Sequence, residues 1–208
     1  MMSCVISVCY SDYCIIMGDG RFLSLKYNPP RVDTEFFEKV IKLNSFVCMG
    51  FTGDPMPVLT AYFDLKSRIA EDMRLENVLD LFIEHIIDQD SERGSIQMIF
   101  SGKALSGKYE TRQVQILRDN TISQKHYPTD RSIAVVYSPP IGTDISSIVD
   151  KNLSQKLSMI KNIHEIKNLI GACITKTAEI NPTVNKVLFF VEASDRINDE
   201  CRTFRFVI

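Results

Sequence analysis

Two nearly continuous apolar segments open the chain and constrain its fold more than any other feature. Residues 5–8 and 14–17 are almost entirely apolar, Ser11-Asp12 supplies a turn between them, and a Gly-Asp-Gly sequence ends at Gly20. Strands with one face in water alternate apolar and polar residues, whereas nearly continuous apolar strands are usually covered on both faces. The hairpin therefore predicts a layered protein with packed material above and below its sheet.

Composition restricts the class of protein. The chain has 208 residues, of which 45% are hydrophobic and 24% charged, and its formal net charge is -2. These values are typical of one large soluble domain spanning residues 1–208, and they give no indication of a nucleic-acid partner. No apolar run reaches the roughly 18 residues that span a bilayer, and no basic stretch opens a secretory signal. We therefore expect a cytoplasmic protein with no membrane partner.

The cysteines do not form a metal-binding or redox motif. None of the six lies in a C-x-x-C pair, and no histidine stands at zinc-ligand spacing from them. Several occupy apolar strands, where cysteine behaves as a small hydrophobic residue. The sequence predicts reduced cysteines and neither a metal nor another cofactor.

The periodicity of apolar residues predicts the order strands, two helices, strands, two helices, strands. The first helix begins at Asp54-Pro55, an N-cap followed by a proline that helices accept at their first position. The second covers residues 75–87, and the third begins at Thr143 or Asp144 and extends to Leu153. The fourth carries apolar residues between Ile166 and Ile174 and stops before Asn181-Pro182. Strands after the hairpin are predicted over residues 39–44, 46–49, 95–101, 111–118, 122–126, 132–137, 186–191 and 202–208.

This order predicts an α+β fold. Two antiparallel sheets stacked face to face, with a helix pair outside each, would bury the first hairpin on both faces. The expected architecture is therefore a four-layer αββα sandwich. Residues 22–37 are expected to be a loop or an extended edge, because Pro29-Pro30 excludes a helix there.

Four short motifs follow one another in the first 53 residues. They are Ser3-Cys4-Val5-Ile6-Ser7-Val8, Met17-Gly18-Asp19-Gly20-Arg21, Lys39-Val40-Ile41-Lys42-Leu43-Asn44 and Gly50-Phe51-Thr52-Gly53. In this order the chain resembles the proteasome β-subunit-like N-terminal-nucleophile (Ntn) hydrolases, including the related bacterial ring protease. The resemblance is fairly specific over residues 3–90 and depends only on the order of elements beyond them.

The resemblance implies a peptidase or amidase site at four positions. The first residue of the processed chain supplies both nucleophile and base in this family, which assigns that role to Ser3. Lys39 would lower the pKa of the free α-amine, and Asp19 would hold the lysine. A backbone N–H at Gly53 would stabilise the oxyanion.

Each of these residues also has a purely structural interpretation. Ser3 stands where the family normally has threonine, and a serine there can simply begin a strand; Cys4 is one residue out of register and would point to the opposite sheet face. Asp19 between two glycines is typical of a tight turn. Lys39 alone is typical of a solvated lysine at the end of a strand, and Gly53 alone is typical of a loop. The joint pattern favours an Asp19–Lys39 pair over the separate interpretations.

Two departures from the family pattern leave two functional hypotheses open. The first is that Met1-Met2 is a very short leader on which methionine aminopeptidase is not expected to act. The second is that Asn181 and Val184 stand where the family has an additional acid and serine. One hypothesis is a peptidase or amidase, acting on peptides, whose N-terminal site is unprocessed and degenerate. The alternative is a non-catalytic structural or regulatory ring-forming subunit, a homo-oligomer assembled through outer helix pairs around residues 59–87 and 145–169.

Overall fold

The order of strands and helices follows the sequence prediction in outline. The computed structural model describes residues 3–24, 31–89, 94–129, 133–140, 142–160, 162–195 and 204–207. Its strands are β1 (Val5–Cys9), β2 (Tyr13–Asp19), β3 (Phe22–Ser24), β4 (Arg31–Thr34), β5 (Val40–Lys42), β6 (Val47–Gly53), β7 (Ile96–Lys103), β8 (Tyr109–Ile116), β9 (Ile122–Tyr127), β10 (Ala134–Ser138), β11 (Val187–Ser194) and β12 (Phe204–Val207). Its helices are α1 (Pro55–Leu65), α2 (Leu75–Asp88), α3 (Ser146–Val149), α4 (Gln155–Leu157) and α5 (Ile163–Ile180), with a π-helical turn over Asp150–Ser154 between α3 and α4.

The first hairpin is confirmed. Strands β1 and β2 pair antiparallel with Val5 opposite Gly18 and Cys9 opposite Cys14. Every residue of both strands is buried. The continuous apolar pattern therefore does correspond to strands covered on both faces.

Two five-stranded antiparallel sheets face each other. One has the strand order β10-β1-β2-β11-β12 and the other β5-β6-β7-β8-β9. A buried apolar cluster lies between them, with Val5 and Ile16 from the first sheet and Val40 and Ile99 from the second. The opposite face of the first sheet packs against α3, the π-helical turn, α4 and α5, and that of the second packs against α1 and α2.

The predicted four-layer αββα sandwich is wrong. The described residues are mostly antiparallel sheet, arranged in three sheets, because β3 and β4 form a further pair where a loop or extended edge was predicted. The predicted third helix is not one half of a helix pair, since it breaks into α3, the π-helical turn and α4. The Asn152 side chain donates to the carbonyl of Ile148 at 2.8 Å, and such side-chain bonds compete with regular helix hydrogen bonding.

The prediction of uniformly reduced cysteines is also wrong. Cys9 and Cys14, which face each other at the ends of β1 and β2, form a disulfide. Cys4, Cys48 and Cys173 are buried and take no part in this disulfide. Cys201 lies outside the described residues.

The described parts of the chain contain neither a membrane-spanning helix nor a metal-binding cluster. None of the helices there combines the length and apolar character needed to cross a membrane. Within the same residues, no group of three or more His, Cys, Asp or Glu side chains is arranged to hold a metal ion.

Candidate functional site

A buried ion pair forms where β2 ends and β5 begins. The Nζ of Lys39 lies 3.0 Å from Oδ2 of Asp19, and both side chains are 0% exposed. The same ammonium group also donates to the backbone carbonyl of Arg21. The tertiary structure thus brings together two of the four residues named from the sequence, although 20 positions separate them along the chain.

Asp19 connects this pair to the beginning of the chain. Its Oδ1 accepts a hydrogen bond of 2.8 Å from the backbone N–H of Cys4, which belongs to the peptide that joins Ser3 to Cys4. Its Oδ2 also accepts from the backbone N–H of Arg21 at 3.0 Å. The carboxylate therefore links the Lys39 ammonium to the backbone beside Ser3.

The hydroxyl of Ser3 is buried in the protein. Ser3 is 1% exposed, and its Oγ has no partner among the described residues. A buried polar atom left unpaired costs roughly 1–3 kcal/mol, so native proteins keep few of them. Such an atom, on the residue whose following peptide N–H donates to Asp19, makes Ser3 a candidate for a chemical role.

Burial and charge act on Lys39 in opposite directions. Burial lowers the pKa of Lys39 below its ordinary value, and the neighbouring Asp19 carboxylate opposes that shift. Removing two charges from water is costly, so a buried ion pair is weak grounds for expecting a gain in stability. A gain in stability therefore does not explain why Lys39 and Asp19 are buried here as an ion pair.

Cys4 occupies a different environment from Ser3. It belongs to the apolar cluster that packs against α5. Burial, reinforced by the negative charge of Asp19, raises the pKa of the Cys4 thiol far above its ordinary value. Cys4 therefore remains a protonated thiol, and nucleophilic chemistry requires the thiolate.

Gly53 ends β6, but no hydrogen bond within the described residues joins it to Ser3, Asp19 or Lys39. Its φ is +93°, and a Cβ atom there would collide with the carbonyl oxygen of Ser95. The backbone alone therefore requires glycine at this position. Strand β6 does pass beside the lysine, because Phe51 N–H donates to the Lys39 carbonyl at 2.9 Å.

Residues that the sequence did not single out hold the segment after Asp19. Asn185 accepts from the Gly20 N–H at 2.9 Å and donates to the Glu35 carboxylate at 2.6 Å. Glu35 also pairs with the Arg21 guanidinium at 3.0 Å. These contacts fix the backbone whose carbonyl accepts from Lys39. Arg21 directly follows the Gly-Asp-Gly turn, which is a local signal, whereas no sequence pattern indicated Glu35 or Asn185.

A second polar connection lies near the same end of β1. Thr52 and Ser138 hydroxyls are 2.7 Å apart, and Ser138 donates to the Gln97 side chain at 2.6 Å. Ser138 is the cross-strand partner of Val5. The two sheets are therefore joined by hydrogen bonds at the level of Val5, which lies two residues after Ser3.

Asn181 and Val184 have structural roles. The Asn181 side chain donates to the Thr143 hydroxyl at 2.7 Å, and Val184 is buried in the cluster beneath α5. Neither provides a carboxylate or a hydroxyl group to the residues around Ser3.

A scan of the chain against protein-family models finds no match, and a search of curated proteins finds none either. The similarity of the four motifs to the Ntn hydrolases therefore remains a prediction. The function proposed below depends on the arrangement of Ser3, Asp19 and Lys39.

Proposed function

We propose that this chain is a peptidase or amidase of the N-terminal-nucleophile type, with Ser3 as its nucleophile. One observation carries the proposal: the buried Lys39–Asp19 pair is hydrogen-bonded to the peptide that follows Ser3, whose own buried hydroxyl has no partner among the described residues. A nucleophilic hydroxyl needs to be free of other partners and near a group that assists its deprotonation, and the peptide after Ser3 connects that residue to the charge pair.

The reaction would use the two functional groups of Ser3. The hydroxyl oxygen forms a bond to the substrate carbonyl carbon while its proton moves to the free α-amine. Collapse of the tetrahedral intermediate breaks the amide bond, and the departing amine takes up that proton. Water then attacks the resulting ester, releases the acid and restores the Ser3 hydroxyl.

Lys39 would tune the base rather than accept the proton. A positive charge near the α-amine lowers the pKa of that amine, so more of it is neutral and able to accept a proton. Asp19 keeps the ammonium in place through the 3.0 Å contact. The role of Gly53 as oxyanion donor is proposed from the motif resemblance alone.

In the chain as it stands, the Ser3 nitrogen belongs to the Met2–Ser3 peptide bond and has no free amine. An amide nitrogen is not a base, and Ser3 is only 1% exposed. We therefore assign activity to a form that begins at Ser3, produced by cleavage of the Met2–Ser3 bond.

The test compares the full chain with a chain whose Ser3 amine is freed by cleaving an N-terminal fusion, each verified by intact mass. We expect hydrolysis of fluorogenic peptides only from the freed chain, and its loss in Ser3→Ala and Lys39→Met variants of that chain. Ser106→Ala, which removes an exposed loop serine, is the matched control and keeps activity. A folded, freed chain that cleaves no peptide or amide in a broad panel contradicts the proposal.

A non-catalytic, ring-forming subunit is the second candidate, supported by exposed apolar side chains on the helices. Met56 and Phe63 lie seven residues apart on α1, hence on one helix face, and are 65% and 69% exposed. Met159, just after α4, is 84% exposed. Exposed apolar side chains grouped on one face are typical of association surfaces.

Native mass spectrometry tests this second candidate. We expect a closed homo-oligomer of cyclic or dihedral symmetry that Phe63→Glu dissociates. The matched control is Phe36→Glu, which places the same charge at another exposed phenylalanine that lies outside the helices. A strict monomer at micromolar concentration rules the ring out.

A further inference from the structure

A cavity of about 440 Å³ lies between α5 and the first sheet, on the side of that sheet that faces away from the second sheet. Met17 of β2 and Leu188 of β11 form its apolar floor. The short side chains of Gly171 and Ala172 on α5 leave the space open above them. Its volume falls in the range of small-molecule sites, about 300–1,000 Å³.

Thr175 places an unpaired hydroxyl in the wall of this cavity. Its Oγ1 is buried and has no partner within the described residues. Thr177, two residues further along α5, donates its hydroxyl to the Cys173 carbonyl at 2.9 Å, as helical threonines commonly do. Because Thr175 does not make this bond, its hydroxyl remains available to a polar group inside the cavity.

The charges around the cavity leave one cation without a carboxylate partner. Lys167 is 2.9 Å from the Glu192 carboxylate and lies over the Phe190 ring. Glu179, also in the lining, lies 4.0 Å from Lys186. Lys176 donates to the neutral side chain of Asn152, and within the described residues no carboxylate oxygen lies within ion-pair distance of its ammonium group.

From these three features we propose that the cavity binds an aliphatic carboxylate of medium chain length. The apolar chain would lie on Met17 and Leu188, and the carboxylate would accept a hydrogen bond from Thr175 and face the Lys176 ammonium. Burial of the chain supplies the main driving force, and the two polar contacts orient the head group. The site does not depend on Ser3 acting as a nucleophile.

Methyl NMR of the full chain, labelled at its methionine methyl groups, tests the proposal with decanoate below its micelle concentration. We expect a saturable shift of the Met17 methyl signal, assigned through Met17→Leu. The methyl signal of Met56, exposed on α1, serves as an internal control and does not move. Absence of a saturable Met17 shift overturns the proposal.

Single substitutions measure how much the Thr175 hydroxyl, the Lys176 charge and the open space of the cavity each contribute to decanoate binding. Thr175→Val should weaken decanoate binding about tenfold, whereas Thr175→Ser keeps it, because a hydrogen bond to a charged group is worth more than a neutral one. Lys176→Gln should weaken it about threefold, with Lys66→Gln, at an exposed lysine just after α1, as matched control. Ala172→Met should fill the cavity and abolish binding in a protein whose circular dichroism is unchanged.

Decanol distinguishes a carboxylate site from a general apolar site. We expect decanol to bind more weakly than decanoate and to be unaffected by Lys176→Gln. Equal affinities for the two compounds, with no effect of Lys176→Gln on decanoate, overturn the carboxylate assignment. If Ala172→Met still binds decanoate, or if Thr175→Val binds it with unchanged affinity, the ligand does not bind in this cavity.

Discussion

The buried serine in the middle of β1 is hydrogen-bonded through its hydroxyl, whereas the hydroxyl of the buried serine just before the strand is not hydrogen-bonded to any described residue. Ser7, in mid-strand, has its hydroxyl 2.7 Å from that of Ser101 on the facing sheet, and Ser101 is 2.9 Å from the Thr111 hydroxyl. All three residues are 0% exposed, neutral and hydrogen-bonded. Ser3, just before the strand, has a buried hydroxyl with no partner among the described residues, near the charged Asp19–Lys39 pair.

The difference separates structure from candidate function. A satisfied chain of neutral hydroxyls joins the two sheets and fixes how they stack, since each donor would be costly to leave unpaired. A buried ion pair and an unpaired hydroxyl instead reduce stability relative to apolar packing. Proteins commonly accept such costs where chemistry needs the groups, which supports the interpretation of the Ser3 region as a functional site.

The largest effect is expected when the charge pair is broken. Asp19→Asn leaves the Lys39 ammonium buried without a carboxylate, and we expect a loss of about 3–5 kcal/mol in the free energy of unfolding. Urea unfolding measures it. The double variant Asp19→Asn/Lys39→Met removes the stranded charge and should recover most of the loss. A cost below about 1 kcal/mol for the single variant contradicts a buried, coupled pair.

A smaller effect is expected from breaking the hydroxyl chain. Ser101→Ala removes its central member and leaves Ser7 and Thr111 each without a partner, so we expect a loss of about 1–3 kcal/mol. Thr111→Val, at the end of the chain, should cost less because Ser7 and Ser101 stay bonded. Chemical denaturation of both variants checks this order, and the reverse order would disprove the connected chain.

Ser3→Ala sharpens the comparison because it should act in the opposite direction. The hydroxyl it removes is buried with no partner within the described residues, so the free energy of unfolding should not fall and should rise by about 1 kcal/mol, the low end of the cost of an unpaired buried polar atom. The same substitution chemistry therefore has different consequences at Ser3 and Ser101. A loss at Ser3 as large as that at Ser101 would mean that its hydroxyl has a structural partner.

The smallest effect concerns pH. Burial lowers the pKa of folded Lys39, so between that lowered value and the ordinary 10.5 the unfolded chain holds more protons than the folded one. Stability relative to Asp19→Asn/Lys39→Met should therefore rise with pH through this window. Unfolding measured at several alkaline pH values checks the sign. If the stability relative to the double variant falls as the pH rises, the attraction of Asp19, and not burial, controls the pKa of Lys39.

Local sequence patterns accounted for the elements that depend on neighbouring residues. The continuous apolar residues predicted that β1 and β2 are buried on both faces. The Asp54-Pro55 pair located the start of α1, where the Asp54 side chain accepts from Met56 N–H at 3.1 Å. The apolar periodicity of residues 75–87 located α2. Caps and periodicity act over a few residues, so the sequence determines them directly.

Only the tertiary structure decided which polar groups find partners. Ser7 and Ser101 are 94 positions apart, and Gly20 and Asn185 are 165 apart, so no local pattern reports their contacts. The cavity beneath α5 likewise depends on packing between distant elements, because α5 lies against β2 and β11 there. The sequence by itself determined where most strands and helices form, because local interactions dominate that choice. Folding decided that Asp19 contacts Lys39 and that the Ser3 hydroxyl has no partner among the described residues, because burial and hydrogen bonding depend on the whole chain.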